Sequence, residues 1–232
     1  MKRLFLLDID CTLVNTGGAG LRAIQQAFLD VFELDPSEAP TLDLAGSTDR
    51  GILRNYLAET ARAETSELRA QFFESYLPQL QANLAPEDHG GKVLAGVPEL
   101  LRELAADPEH TLGLLTGNVA KGADIKLRRY GLDPWFSFGA FGDDHWDRNQ
   151  LGPIALERAR EKTGHSFSSE QTYVVGDTPK DIACGKAFGA ITVAVATGNF
   201  TEAELQAHEP DFVLSSLVEF QKRVLVGSDR ME

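Results

Sequence analysis

An unbroken apolar run at residues 4–7 sits inside LFLLDIDCTLVNT (residues 4–16) and stops at two aspartates one position apart. Four successive apolar residues bounded by polar ones fit a strand buried on both faces; a half-exposed strand would alternate. After GGAG at 17–20, Leu21, Ile24, Phe28 and Val31 recur at helical spacing. Residues 53–63 and 68–77 continue that pattern, the second with Thr65 or Ser66 as its cap and bent or ended near Pro78. The stretch 17–88 thus predicts an all-helical module, with the breaker-rich APEDHGG (85–91) as its return linker. Beyond it, GVPELLRELA opens a helix with Pro98 in its first turn, and HTLGLLTGN reads as a short strand ending in turn residues. Helices over 124–130, 153–163 and 181–188 stop at Gly131, Gly164 and Gly189, each placed as a left-handed cap. Between them lie the strand-like runs TYVV (172–175), ITVAVA (191–196) and FVLSSL (212–217). Alternating strands and helices predict an α/β fold with a doubly wound parallel sheet, its core at 1–16 and 89–232 and the helical cap at 17–88 inserted after the first strand. The TGN triplets at 116–118 and 197–199 are too short to count as a repeat.

Composition narrows the partners. The 232 residues are 43% hydrophobic and 25% charged, ordinary for a folded domain, but the formal net charge is -13. Such a surface repels nucleic-acid and anionic-membrane phosphates, so the expected partner is a small molecule. Two cysteines, Cys11 and Cys184, cannot form a disulfide framework and predict a reducing cytoplasm. The apolar run before Asp8 is too short for a signal-peptide core, and no run approaches a membrane span.

Three strand ends carry the candidate chemistry. Side chains two apart on a strand share a face, so Asp8 and Asp10 can point together out of the carboxyl end of the first strand, where parallel sheets bind ligands. Two neighbouring acids repel and raise one pKa, a cost that a cation or an acid/base pair explains; the plainer reading is an acidic surface turn. TYVVGDTPKD (172–181) is a second apolar run ending in acids, Asp177 and Asp181, and hard cations such as Mg2+ take a few carboxylate oxygens, water and substrate phosphate. Asp181 also suits the first turn of a helix, where an acid meets the positive end of the macrodipole. LLTGN ends a third strand on Thr116, Gly117 and Asn118, which offer a hydroxyl, close-approach amides and a side-chain amide to a phosphoryl group. GGAG has no lysine with Ser/Thr after it and is no nucleotide P-loop.

In this order and strand context, DIDCTLV, LLTGN and GDTPKD resemble the first, second and fourth motifs of the haloacid dehalogenase superfamily over essentially the whole chain. The helical insertion resembles the small cap of its phosphoglycolate-phosphatase-like members, and AGSTDRGIL (45–53) resembles their cap loop. The resemblance implies a phosphatase in which Asp8 attacks phosphorus and forms an aspartyl-phosphate, and Asp10 protonates the leaving oxygen and then activates water. It further implies Thr116 as phosphate binder and Mg2+ held by Asp8, Asp10, Asp177 and Asp181. Asp10 argues against dehalogenation, since the dehalogenating relatives lack that acid. The family's third motif carries a lysine before a helix; the aligned segment, DDHWDRNQLGPIALERA, offers Arg148, with Lys180 and Lys162 as the other basic candidates. In the cap loop, Thr48, Asp49 and Arg50 are either substrate-selecting residues or a helix start, with Ser47 or Thr48 as cap. The cap carries five arginines, no lysine and ten acids between residues 15 and 85, which disfavours polyanionic substrates but leaves Arg50 to meet one carboxylate or phosphate. Gly17, Gly18 and Gly20 are the expected hinge, and His145 is either a solvated loop residue or a visitor to the site. The expectation is a cytoplasmic, Mg2+-dependent phosphatase of a small phosphorylated metabolite, monomeric or homodimeric. A phosphomutase of the β-phosphoglucomutase kind and a non-catalytic phosphate-binding protein are the alternatives; the large helical insertion argues against a receiver domain.

Overall fold

In a computed structural model, which describes residues 1–225, the first apolar run is strand β1 (Arg3–Leu7), with Leu4, Phe5, Leu6 and Leu7 all fully buried. Phe5 and Leu7 join the apolar layer of helix α4 (Val97–Ala106), whereas Leu4 and Leu6 face α6 (Leu151–Thr163) on the opposite side. A strand covered on both faces has no polar side, so its sequence runs apolar without alternating.

β1 lies at the centre of a parallel sheet. It pairs with β4 (His110–Leu115), Leu7 opposite Leu114, and with β6 (Thr172–Gly176), Leu7 opposite Val175. β5 (Gly139–Ala140) flanks β4, while β7 (Ile191–Val195) and β8 (Phe212–Leu214) extend the other side, giving the order β5-β4-β1-β6-β7-β8 among the described residues. The winding direction reverses around β1, and the crevice beyond the carboxyl ends of β4, β1 and β6 is where such sheets bind ligands. Helix α5 (Ala120–Arg129) follows β4, and α7 (Pro179–Ala187) follows β6. Gly131, Gly164 and Gly189, just past α5, α6 and α7, take φ of 65°, 71° and 77°, the left-handed conformation glycine adopts without a Cβ penalty.

The insertion packs α1 (Ala19–Phe32), α2 (Asp49–Glu59) and α3 (Ser66–Leu84) around Phe28, whose ring centroid is 4.6 Å from that of Tyr56 and 4.7 Å from that of Phe72. Val119, at the start of α5, joins this cluster and seats the helices on the sheet domain. One expectation needs correction. Pro78 neither ends nor opens a break in α3, which continues to Leu84: the missing N–H costs one backbone bond, and burial of Tyr76, Leu80 and Leu84 on one face outweighs it. Helices are the regular elements of the insertion, and residues 39–48 between them form an irregular loop that docks on the sheet domain. The chain crosses between the two parts through an antiparallel ribbon, β2 (Val14–Asn15) with β3 (Lys92–Val93). Beside it Gly17, at φ 59°, lies where any Cβ would run into the His89 carbonyl. β5, the ribbon and the short helix α8 (Glu202–Gln206) were invisible to periodicity, being two to five residues long.

Candidate active site

The Asp8 amide still donates to the Val175 carbonyl at 3.0 Å, so the first acid leaves β1 in register, between the ends of β4 and β6. A tight turn follows, with Cys11 at φ 58° and the Leu13 and Val14 amides returning to the Ile9 carbonyl at 2.9 and 3.0 Å. Both acids face one cavity but have different partners. Asp8 is buried, its Oδ1 3.1 Å from Arg148 Nη2. Asp10 is partly exposed, and its Oδ2 accepts from Lys126 Nζ at 2.6 Å and Asn118 Nδ2 at 2.8 Å.

Arg148 stands on a 3-10 turn (Arg148–Gln150) immediately before α6 and is 6% exposed. Its Nη2 also bonds Asp181, and its Nη1 donates to the Gly46 carbonyl of the cap loop at 2.9 Å. Among the three basic candidates it alone reaches Asp8. Lys180 bonds Asp43 Oδ2 at 2.7 Å and Ser47 Oγ at 2.6 Å, tying the cap loop to α7, and Lys162 is exposed on α6. Burial opposes the arginine's charge, but Asp181 and then Asp8 more than offset it and hold the guanidinium protonated.

Carboxylate oxygens of Asp8, Asp177 and Asp181 lie within 4.8 Å of one another. Burial, then the charge of Asp181 and that of Asp8, push Asp177 up to about 8; burial raises Asp8 to about 7, with Arg148 pulling it down and Asp181 and Asp10 pushing it up. An all-oxygen set in which burial pushes Asp8 and Asp177 toward their neutral forms suits a hard divalent cation. Asp181 is the most heavily bonded of the three: one oxygen meets Arg148, and the other accepts from the Thr178 amide at 3.0 Å and hydroxyl at 2.6 Å. It orients Arg148 and caps α7 while standing with Asp8 and Asp177 around the same candidate cation position. The Asp10 carboxylate stands outside this trio, because Lys126 and Asn118 draw it to the other wall.

Thr116 is buried beside Asp8, hydrogen-bonds it, and accepts from Asn118 Nδ2 at 2.8 Å. A Cβ on Gly117 would run into the Ser47 carbonyl, and the Gly117 carbonyl accepts from the Asp49 amide at 2.7 Å, so cap loop and β4 loop meet backbone to backbone. Thr48 caps α2 through the Gly51 amide at 2.9 Å and donates to the Trp146 carbonyl at 2.6 Å; Asp49 Oδ2 accepts from the Val119 amide at 2.9 Å. The Arg54 guanidinium lies 4.2 Å over the Trp146 ring, a further clasp between cap and core. His145 accepts from the Asp147 amide in its own loop at 3.0 Å. Arg50 is not brought to the cavity: its Nε pairs with Glu64 Oε1 at 3.0 Å, an oxygen it shares with Arg69, because this carboxylate on the cap collects the nearby arginines.

Cap and core enclose about 350 Å³ above Asp8. Its walls include residues that sequence reasoning passed over: Lys126, Tyr76, Asn199 and Phe200. Lys126 interrupts the buried face of α5 formed by Gly122, Ala123 and Leu127, a lysine at an apolar helical position that periodicity flags. Asn199 follows β7, so the second TGN triplet, like the first, sits at the carboxyl end of a parallel strand.

The profile of the haloacid dehalogenase-like hydrolases matches residues 5–195, from the first buried strand to the end of β7. This chain belongs to that family. A phosphoglycolate phosphatase of Vibrio vulnificus (strain CMCP6) is 28% identical over 232 residues, covering 97% of each chain, and a probable phosphatase of Dickeya dadantii (strain 3937) is 29% identical over 94% of this chain and 92% of its own. In fold, a hydrolase from Pseudomonas syringae superposes with a TM-score of 0.73 at 20% identity, over 97% of this chain and 99% of that one. The family assignment agrees with the α/β sheet and with a hydrolytic enzyme; among the described residues no helix is long and apolar enough to cross a membrane.

Proposed function

We propose that this hydrolase is a Mg2+-dependent phosphatase of small phosphate monoesters, with Asp8 as nucleophile. The observation that carries the reading is the division of labour between the two acids: Asp8 is buried against Arg148 and next to Asp177, whereas Asp10, two residues on, is held by Lys126 and Asn118 across the same cavity. The names of the curated relatives, a phosphoglycolate phosphatase and a probable phosphatase, point the same way.

Arg148 keeps Asp8 near the ionised state its nucleophilic role needs, against the burial that raises its pKa. Asp8, Asp177 and Asp181 are the carboxylates that would hold Mg2+, and the ion would supply neutralisation of the phosphoryl oxygens. Asn118 lines the cavity, with Thr116 buried behind it against Asp8, and this pair orients the phosphoryl group for in-line attack. An Asp8 oxygen forms the bond to phosphorus, the ester P–O bond breaks, and the departing oxygen takes its proton from Asp10. Water then gives a proton to Asp10 and attacks phosphorus, releasing Asp8 and inorganic phosphate. Asp10 Oδ2 is tied to two donors, while Oδ1 makes no hydrogen bond to a described residue, so the proton is carried there. The cap-loop contacts to Trp146, Gly117 and Arg148 keep bulk water from competing during the first step.

The test is phosphate release from p-nitrophenyl phosphate and a panel of small esters, with Mg2+ and with EDTA. Turnover should require Mg2+, and Asp8→Asn should abolish it while leaving the fold intact. A phospho-enzyme that persists without hydrolysis would indicate a mutase, and no turnover across the panel would sink the proposal.

A further inference from the structure

Resting on that phosphatase reading, we infer that the alcohol this site releases is small and uncharged, with a hydroxyl or ether oxygen hydrogen-bonded by Tyr76, and that it bears no carboxylate. The cavity has two unlike halves. Its floor is the ionic cluster of the sheet domain; its roof, from the cap, is Leu21, Ile24, Leu44, Ile52 and Tyr76. A monoester with its phosphoryl group on the floor therefore presses its leaving group against the roof, and the modest volume, near the low end of the roughly 300–1,000 Å³ of small-molecule sites, limits that group to a few heavy atoms.

A carboxylate there would need a cation, and among the described residues none is free. The two basic residues lining the cavity are committed: Lys126 Nζ sits 2.6 Å from both Asp10 Oδ2 and Asn118 Oδ1, and Arg148 gives its terminal nitrogens to Asp8, Asp181 and the Gly46 carbonyl, its unpartnered Nε–H being buried away from the cavity surface. Arg50, the cap-loop arginine nearest in sequence, is held by Glu64 at 3.0 Å, and Arg22 is exposed and donates to the Gly17 carbonyl at 2.8 Å. The wall adds negative charge instead, from buried Asp49. A second anion brought under this roof would stay unpaired in a partly dry space, which is strongly unfavourable. The same lack of a free cation leaves no second phosphate site in the cap of the kind a mutase requires.

Tyr76 supplies the positive half of the argument. The residue is 1% exposed and lines the cavity, and its hydroxyl makes no hydrogen bond to a described residue yet is not among the fully buried unpaired atoms, so it opens onto the cavity. A tyrosine hydroxyl at a cavity wall is paired by water or by a ligand. Burial, with the nearby charges of Asp49 and Asp10, raises its pKa well above the ordinary value, so the phenol stays a proton donor at any working pH. A neutral oxygen on the leaving group is the acceptor that fits.

Three two-carbon esters test this with the Mg2+-loaded enzyme: 2-hydroxyethyl phosphate, ethyl phosphate and phosphoglycolate, with p-nitrophenyl phosphate as a general reporter. 2-Hydroxyethyl phosphate should exceed phosphoglycolate in kcat/KM by at least about tenfold. Tyr76→Phe should erase about three- to tenfold of the preference for 2-hydroxyethyl over ethyl phosphate, read as the ratio of the two kcat/KM values in one enzyme, a ratio that a merely structural tyrosine would not move. Phosphoglycolate turned over as well as or better than the neutral esters overturns the proposal. So does hydrolysis of p-nitrophenyl phosphate with none of the three accepted, or a Tyr76→Phe enzyme that slows all substrates alike. Failure on every substrate, p-nitrophenyl phosphate included, would remove the phosphatase reading itself.

Discussion

Replacing Arg148 with methionine removes the one cation between Asp8 and Asp181 while keeping most of the side chain's volume. All three residues are buried, and Nη2 lies 3.1 Å from Asp8 Oδ1. Deleting one partner of a buried ion pair costs roughly 3–5 kcal/mol, since the remaining charge loses both water and its counter-ion. Protonation is the escape available to Asp8. In the parent it ionises at about 7 even with Arg148 beside it, so without the arginine it keeps its proton to higher pH. Above pH 7 the variant's native state then holds a proton that the parent's does not. The destabilisation should therefore grow with pH, by up to ~1.4 kcal/mol per unit, until the variant's own Asp8 ionises. Urea unfolding in EDTA at pH 6 and pH 8 measures this through the midpoint at constant slope, and thermal midpoints should fall by roughly 2–4 °C per kcal/mol for a chain of this size. Arg148→Lys, which keeps a point charge but not the bond to the Gly46 carbonyl, should recover more than half of the loss. A loss of ~1 kcal/mol or less at pH 8, or an equal loss at both pH values, would refute the charge argument and leave Arg148 as packing.

Asp177 ionises at about 8 in the fold and near 4 in the unfolded chain, so the unfolded state sheds its proton first and this group lowers stability as pH rises between those values. In EDTA, Asp177→Asn should thus have a higher urea midpoint than the parent at pH 8 but not at pH 4, and equal midpoints at both would contradict the buried-charge account. Lys126→Met should change stability by less than ~2 kcal/mol, because Asp10 is open enough to recover water, yet lower kcat by about tenfold or more through loss of the group that orients the acid. A large stability loss with normal turnover would make Lys126 structural. Gly117→Ala should push the cap loop off the β4 loop and reduce kcat/KM by on the order of 10²-fold in a steady-state assay; unchanged kinetics would mean that the Ser47 contact does not position the cap.

The sequence by itself determined the sheet and its ligand edge. Residues 4–7 had to be buried on both faces because they contain no polar position, and the glycines after α5, α6 and α7 placed the helix ends through backbone conformation alone. Asp8, Asp10, Thr116 and Asp177 were legible for the same local reason: each lies within three residues of the carboxyl end of an apolar strand, and parallel strands deliver their ends to one crevice. The tertiary structure alone decided the rest. Whether Arg148, Lys180 or Lys162 serves Asp8 depends on where α6 and α7 pack, and sequence distance carries no information about that. Arg50 looked available because its competitor, Glu64, lies across a turn from it; Lys126 and Tyr76, on helices 50 residues apart, enter one cavity because α3 packs on α5. Helical periodicity says which face of a helix is buried, but which neighbour it is buried against follows from long-range packing, and the chemistry of this cavity's roof is set there.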